Sequence, residues 1–290
     1  MFLISFEYHG EQAWGAIKPD ERIIYPANDL FEEKVPATLL EFIKQEKPIH
    51  IQPYTFPERG ISLEQVKLLA PIPKPVRNIF CVGKNYLDHI IEFAKQDHSA
   101  QKPLEHPAFF TKATNTVIGA FDAIPSHSPI TNQVDYEAEL AVIIGKKGVD
   151  IPEEKAMDYV FGYTILNDVT ARDLQKRHLQ WVKGKSLDGF CPMGPWIVTR
   201  DEIPEPVELN ISSQVNGEIR QMSNTRQMIF NIPALISVLS QGMTLEPGDI
   251  LATGTPSGVG MGFEPPKFLR KGDVVRVEIE KIGYMENTVS

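Results

Sequence analysis

The stretch Asp135-Tyr136-Glu137-Ala138-Glu139-Leu140-Ala141-Val142-Ile143-Ile144-Gly145 decides how the chain folds. As a β-strand its side chains alternate, so Tyr136, Ala138 and Leu140 share one face while Asp135, Glu137 and Glu139 share the other. The apolar continuation to Ile144 carries the strand into a core. Two carboxylates at i and i+2 stand about 7 Å apart at their Cα atoms, and like charges turned into a semi-buried pocket repel. Such a pair needs a cation, a shared proton or full contact with water. Oxygen-only ligands suit a hard ion, Mg²⁺ or Mn²⁺, better than zinc. On this stretch alone a solvent-facing acidic stripe on an edge strand explains the pattern as well as a metal site does.

A second acid shifts the balance. Gly162 to Asn167 is an apolar strand ending in Asp168, just before a helix. Thr170-Ala171-Arg172-Asp173 has the form of a capping box with Thr170 as N-cap, which makes Asp173 a structural acid and leaves Asp168 without such a duty. Glu137, Glu139 and Asp168 then offer three oxygen ligands. In Gly83-Lys84-Asn85-Tyr86-Leu87-Asp88-His89-Ile90-Ile91-Glu92, His89 and Glu92 sit at i and i+3 on a helix, where a carboxylate can fix the imidazole tautomer and raise its basicity. Surface His/Glu pairs at this spacing are common and serve no chemistry. Lys112 and Lys185 are cations beside apolar runs, suited to a substrate carboxylate or simply to solvent. Leu251 to Gly260 follows a strand and is dense in glycine and hydroxyls, so it presents N–H and O–H groups to an anion or forms a plain structural turn. It lacks the phosphate-loop lysine and the G-x-G-x-x-G spacing, which argues against a nucleotide. Cys81 and Cys191 read as core thiols.

Around these segments the chain alternates short strands with few helices. Runs at 2–8, 14–17, 23–25, 76–83, 109–111, 160–166, 196–199, 209–215, 250–253 and 274–279 are β-branched or aromatic and bounded by turn residues. Asn216-Gly217 marks a two-residue hairpin. Helices are expected at 85–96, 171–180 and 232–241, and after Pro36 up to Pro48. The pattern is that of a β-rich α+β protein rather than alternating βαβ units. Pro71-Ile72-Pro73-Lys74-Pro75 reads as an extended linker, so residues 1–70 are expected to form a small N-terminal unit and 71–290 the catalytic domain. The 290 residues carry 38 acidic and 29 basic side chains, a net −9, with 42% apolar and 23% charged content. That is an ordinary globular composition. An acidic surface without a basic block argues against nucleic acid or an anionic membrane as partner. No run approaches a membrane span, and the opening Met1–Gly10 lacks the basic flank of a signal peptide, so a reducing cytoplasm is the expectation.

Taken in order, Gly83-Lys84-Asn85-Tyr86 with His89 and Glu92, Phe110-Thr111-Lys112, Asp135–Leu140, Asn167–Asp173, Lys185-Ser186-Leu187-Asp188 and Thr253–Gly260 resemble the fumarylacetoacetate hydrolase family over residues 75–290. The resemblance implies a mixed β-sheet roll, usually a homodimer, that binds Mg²⁺ or Mn²⁺ through Glu137, Glu139 and Asp168. It implies a lid-borne dyad of His89 and Glu92 acting with Lys185, and contacts to a 2-oxo acid from Lys112, Gln175, Lys185 and Thr255. The chain looks especially similar to the bacterial branch of acylpyruvate hydrolases and oxaloacetate decarboxylases. Metal-dependent cleavage of a C–C bond through an enolate follows, with oxaloacetate decarboxylation first and acylpyruvate hydrolysis second. A 2-hydroxyhepta-2,4-diene-1,7-dioate isomerase activity, or a non-catalytic binding protein on the same fold, are the further alternatives.

Overall fold

A computed structural model describes residues 1–31, 34–46, 56–97 and 104–290, the side chains of 93–97 aside. Three antiparallel strands open the chain: β1 (Phe2–Tyr8), β2 (Glu11–Lys18) and β3 (Ile23–Pro26). They are followed by β4 (Ile79–Gly83), β5 (Ala108–Lys112), β6 (Ala138–Ile144), β7 (Val160–Asn167) and β8 (Cys191–Thr199). The chain closes with β9 (Asn210–Val215), β10 (Glu218–Asn224), β11 (Ile250–Ala252), β12 (Val274–Ile279) and β13 (Gly283–Thr288). The helices that matter are α1 (Leu39–Ile43), α2 (Leu87–Asp97), α3 (Arg172–Arg177), α4 (Val182–Lys185) and α5 (Ile232–Ser240).

The strands make a large mixed sheet whose long members run β3-β2-β1-β8-β7-β6-β11-β4-β5, and an antiparallel four-stranded sheet β10-β9-β12-β13. The large sheet is mixed because β11 lies parallel to β4 while β6 pairs antiparallel with both β7 and β11. β6 is buried along its whole length. Ala138, Leu140, Val142 and Ile144 pack with Ile211, Val275 and Val277 of the smaller sheet and with Leu235 and Ile236 of α5. Ala141 and Ile143 face the other way, onto a second core that contains Trp14, Leu39 and Ile43. Each Leu, Val or Ile among them contributes about 1.5–3 kcal/mol on burial, so this strand is pinned from both faces. Asn216 and Gly217 have φ of 53° and 80°, the left-handed pair that a tight hairpin between β9 and β10 requires.

The large sheet runs across the expected boundary at residue 70, since Phe2 and Leu3 of β1 pair with Val198 and Ile197 of β8. Three sequence expectations change. The proline-rich segment is no free linker: Ala70 and Ile72 are buried, and the Ser5 hydroxyl donates to the Pro71 carbonyl at 2.8 Å. The helix expected over 171–180 is shorter, α3 ending at Arg177, and bends and a turn over 178–181 lead to the separate short helix α4. α3 has no side-chain cap: its N-cap is Ala171, the Thr170 hydroxyl donates to the Asp168 carbonyl, and Asp173 accepts from Thr131 Oγ1. α1 matches the apolar pattern after Pro36, while Pro48 lies outside the described residues. β13 carries too few apolar residues to be read as a strand in advance.

Candidate active site

The acidic strand breaks just where it meets the site. Val134–Asp135 pairs with Thr170–Ala171, and β6 begins at Ala138, so Tyr136 and Glu137 bridge two pairings. The break is held by side chains, since the Glu137 N–H donates to Asn167 Oδ1 at 3.0 Å and the Ala138 N–H to Gln221 Oε1 at 3.1 Å. Asp168 lies at the end of β7 with its N–H on the Glu137 carbonyl. Glu137, Glu139 and Asp168 are thereby brought together, their ligand oxygens all within 4.8 Å of one another, at 5%, 1% and 0% exposure. This burial removes the solvent-facing stripe as an explanation.

Counter-charges surround the cluster unevenly. Arg172, itself buried, donates from Nε to Asp135 at 2.8 Å and from Nη1 to Glu137 at 2.7 Å. Lys185 Nζ lies 2.8 Å from Glu137 and 2.7 Å from Asp168. Lys112 Nζ lies 2.6 Å from Asp168. Among the described residues Glu139 has no ion pair and accepts a single hydrogen bond, from the Gly254 N–H at 2.9 Å. Four buried acids therefore face three buried cations, with Glu139 the uncompensated one. Burial raises the Glu137 carboxyl, but Lys185 and Arg172 overcome it and hold the group at about 2. At Glu139 burial raises the pKa and the charges of Asp168 and Glu137 push it further the same way. A buried oxygen-only donor set with one excess negative charge fits a hard divalent cation.

Above the acids is a cavity of about 340 Å³. Its polar wall includes Glu137, Glu139, Arg172, Gln175, Lys185, Thr255 and His89, and its apolar wall Val82, Phe110, Trp181 and Met261. His89 projects from the first turns of α2, with Nδ1 3.2 Å from Glu92 Oε2; the other Glu92 oxygen accepts the Gly258 N–H at 2.9 Å. A Cβ on Gly262 would collide with the Glu92 carboxyl, and one on Gly83 would come within 2.5 Å of the Trp181 ring. Glycine at both positions lets these side chains close on the cavity. The turn into α2 is clamped by Asn85, whose amide donates to the Phe230 and Thr253 carbonyls and accepts the Phe230 N–H. That clamp holds Lys84, a cavity-lining residue, at φ 58°.

Of the residues singled out in the sequence, His89, Glu92, Glu137, Glu139, Gln175, Lys185 and Thr255 converge here. Lys112 does not reach the cavity. It is fully buried behind Asp168, and its three donors go to Asp168 Oδ1, the Val169 carbonyl and the Lys185 carbonyl, leaving none for a substrate. Cys81 and Cys191 are fully buried, and burial pushes the Cys191 thiol up to about 12. Sequence reasoning missed Arg172, taken as part of a helix start, and Gln221 in the β9–β10 hairpin. Asp135 was placed on the acidic face, yet its partners, the Gly260 and Met261 N–H groups and Arg172, make it an anchor for a loop. No local spacing signals these roles, because the partners that define them, Asp135 and Glu137 for Arg172, Ala138 and Thr255 for Gln221, and Gly260 and Met261 for Asp135, are distant in the chain.

Comparison with known proteins gives the family. Residues 78–290 match the family model described as fumarylacetoacetate (FAA) hydrolase C-terminal. The chain is 49% identical over 298 residues to oxaloacetate tautomerase YisK of Bacillus subtilis (strain 168), covering 98% of each protein. Among solved structures it is similar to a fumarylacetoacetate hydrolase from psychrophilic Exiguobacterium antarcticum, with 42% identity, a TM-score of 0.85 and coverage of 100% of this chain and 99% of that one. It is also similar to a maleylpyruvate hydrolase from Sphingobium sp. SYK-6 in complex with manganese (II) ion and pyruvate, with 30% identity, a TM-score of 0.76 and coverage of 100% and 98%. With the family model spanning most of the chain and relatives aligned end to end, this protein belongs to the fumarylacetoacetate hydrolase family.

Proposed function

We propose that the protein catalyses keto–enol tautomerisation of oxaloacetate, or of a closely related 2-oxo diacid, in the cavity above Glu137, Glu139 and Asp168. One observation carries the reading: the excess buried negative charge at Glu139 opens onto the same cavity as an imidazole held by a carboxylate. The choice of oxaloacetate is supported by the full-length similarity to the B. subtilis tautomerase.

Glu137, Glu139 and Asp168 would hold Mg²⁺ or Mn²⁺, which supplies positive charge beside the 2-oxo group and so favours the build-up of negative charge there. The protein's own groups do the rest. A carboxylate only accepts hydrogen bonds, so Nδ1 of His89 carries the proton toward Glu92 and the ring presents Nε2 as a base. Nε2 takes a proton from C3, the C–H electron pair becomes the C2–C3 double bond, the carbonyl π pair moves onto the 2-oxo oxygen, and the proton held at Nε2 passes to that oxygen and restores the base. Nothing else is consumed or released. Lys185 spends two donors on Glu137 and Asp168 and keeps a third for a substrate carboxylate. Gln175 accepts from Arg172 through Oε1, which leaves its NH₂ for a substrate oxygen. The Trp181 and Phe110 rings exclude water from one side.

Decarboxylation, the first expectation from sequence, passes through the same enolate but releases CO₂ and needs no base at C3. The test is to follow enol–keto equilibration of oxaloacetate and pyruvate release together, with the Mn²⁺-loaded protein. Accelerated equilibration without matching pyruvate supports tautomerisation. Metal-dependent pyruvate release with equilibration unchanged replaces it by decarboxylation. If neither changes, and an acylpyruvate is cleaved instead, the hydrolase reading takes its place.

A further inference from the structure

Gln221 lies on β10 in the smaller sheet, does not line the cavity and is completely buried. Its amide is saturated. Oε1 accepts the Ser213 hydroxyl at 2.8 Å and the Ala138 N–H at 3.1 Å, while Nε2 donates to Thr255 Oγ1 at 2.7 Å and to the Pro256 carbonyl at 2.8 Å. The amide cannot be turned over. A backbone N–H can only donate and a carbonyl can only accept, so the oxygen must face Ala138 and the nitrogen Pro256. With Nε2 fixed toward it, Thr255 Oγ1 is an acceptor on that side. Its own proton has to point elsewhere, and among the described residues no protein acceptor receives it. Thr255 is 3% exposed and lines the cavity.

We infer that Gln221 is a positioning residue that forces the Thr255 hydroxyl to donate into the cavity, onto an oxygen of the bound 2-oxo acid. The identity of the ligand rests on the proposed function; the direction of the hydroxyl does not. The same amide ties the start of β6, between Glu137 and Glu139, to the loop that carries Thr255. A hydroxyl free to rotate would divide its time between donating and accepting. One held as a donor loses no orientation when negative charge develops on its partner.

A double-mutant cycle separates this from a merely structural strut. Gln221→Met and Thr255→Val are each expected to lower kcat/KM for oxaloacetate by about tenfold or more. If Gln221 acts through the hydroxyl, adding Gln221→Met to Thr255→Val costs little further, whereas in a Thr255→Ser background it costs as much as in wild type. Multiplicative losses in the Val background would overturn the inference. Gln221→Glu, whose carboxylate can accept from Ala138 and Ser213 but cannot donate, covers the case in which the Met variant fails to fold. There Thr255 turns its proton onto the new carboxylate, so activity measured well below the Tm of the variant should fall, although the buried charge lowers that Tm as well; unchanged activity would count against the idea. The same cycle read calorimetrically as oxalate binding to the Mn²⁺-loaded protein needs no turnover. A wild type inactive on oxaloacetate that still shows the coupling in oxalate affinity would defeat the proposed reaction and leave this inference standing.

Discussion

Glu139→Gln should stabilise the metal-free protein and abolish its response to metal. The side chain is 1% exposed and, among the described residues, has no ion pair and accepts a single N–H, from Gly254. Glutamine keeps that acceptor and removes the charge. Burial, then Asp168 and Glu137, raise the Glu139 pKa well above its ordinary 4.5, so the folded protein binds this proton more tightly than the unfolded chain does. For a raised carboxyl the favourable contribution is complete below the unfolded value and declines as pH rises toward the folded one. Between those limits one extra proton on the folded state gives a slope of about 1.4 kcal/mol per pH unit. Urea unfolding in a chelating buffer should therefore show the variant gaining on wild type by about 1.4 kcal/mol for each pH unit above about 4.5, until the folded pKa is passed. Adding Mn²⁺ should shift the balance back toward wild type. An ion at 100 times its Kd adds about 2.7 kcal/mol to wild type, and little to a variant missing one of three carboxylate ligands. Parallel pH profiles for the two proteins in chelator would refute the reasoning, because they would mean that Glu139 carries no uncompensated charge.

His89→Ala should lower kcat by about 10²- to 10⁴-fold while Mn²⁺ affinity, measured by calorimetry, stays at the wild-type value. A loss of metal in that variant would place His89 among the ligands and remove it as the base. Lys112→Met leaves the Val169 and Lys185 carbonyls without their donor and Asp168 with one cation fewer, so unfolding free energy should drop by about 3 kcal/mol. If Lys112 instead contacted substrate, KM would rise with stability unchanged. Gly262→Ala pushes on the Glu92 carboxyl and should lower kcat through the dyad, with a small change in Tm; full activity in that variant would show that the dyad has slack.

The parts of the site that could be read from sequence are those fixed by local periodicity. Alternation along 135–145 put Glu137 and Glu139 on one side, the polar end of an apolar strand marked Asp168, and helical spacing paired His89 with Glu92. The fold class followed from the same strand pattern and the Asn216-Gly217 turn. What could not be read depends on long-range pairing. Nothing near Gln221 reveals that it meets Ala138 and Thr255, 83 and 34 positions away. Lys112 and Lys185 look alike in sequence, yet one is spent behind Asp168 and the other faces the cavity, a difference made by how β5 and α4 meet. The Thr170 capping box failed because its hydroxyl found the Asp168 carbonyl, a competing local acceptor at a strand end. The Pro71–Pro75 segment misled for a similar reason: extended backbone suits a linker and equally suits a chain packed along β1.

The central claim is that three converging carboxylates grip one divalent ion. Equilibrium Mn²⁺ binding by electron paramagnetic resonance tests it most directly, comparing wild type with Asp168→Asn and with His89→Ala. One bound ion per chain is expected in wild type, the same in His89→Ala, and a loss of affinity of about tenfold or more in Asp168→Asn. Undiminished binding in Asp168→Asn, or no binding in wild type, would contradict it.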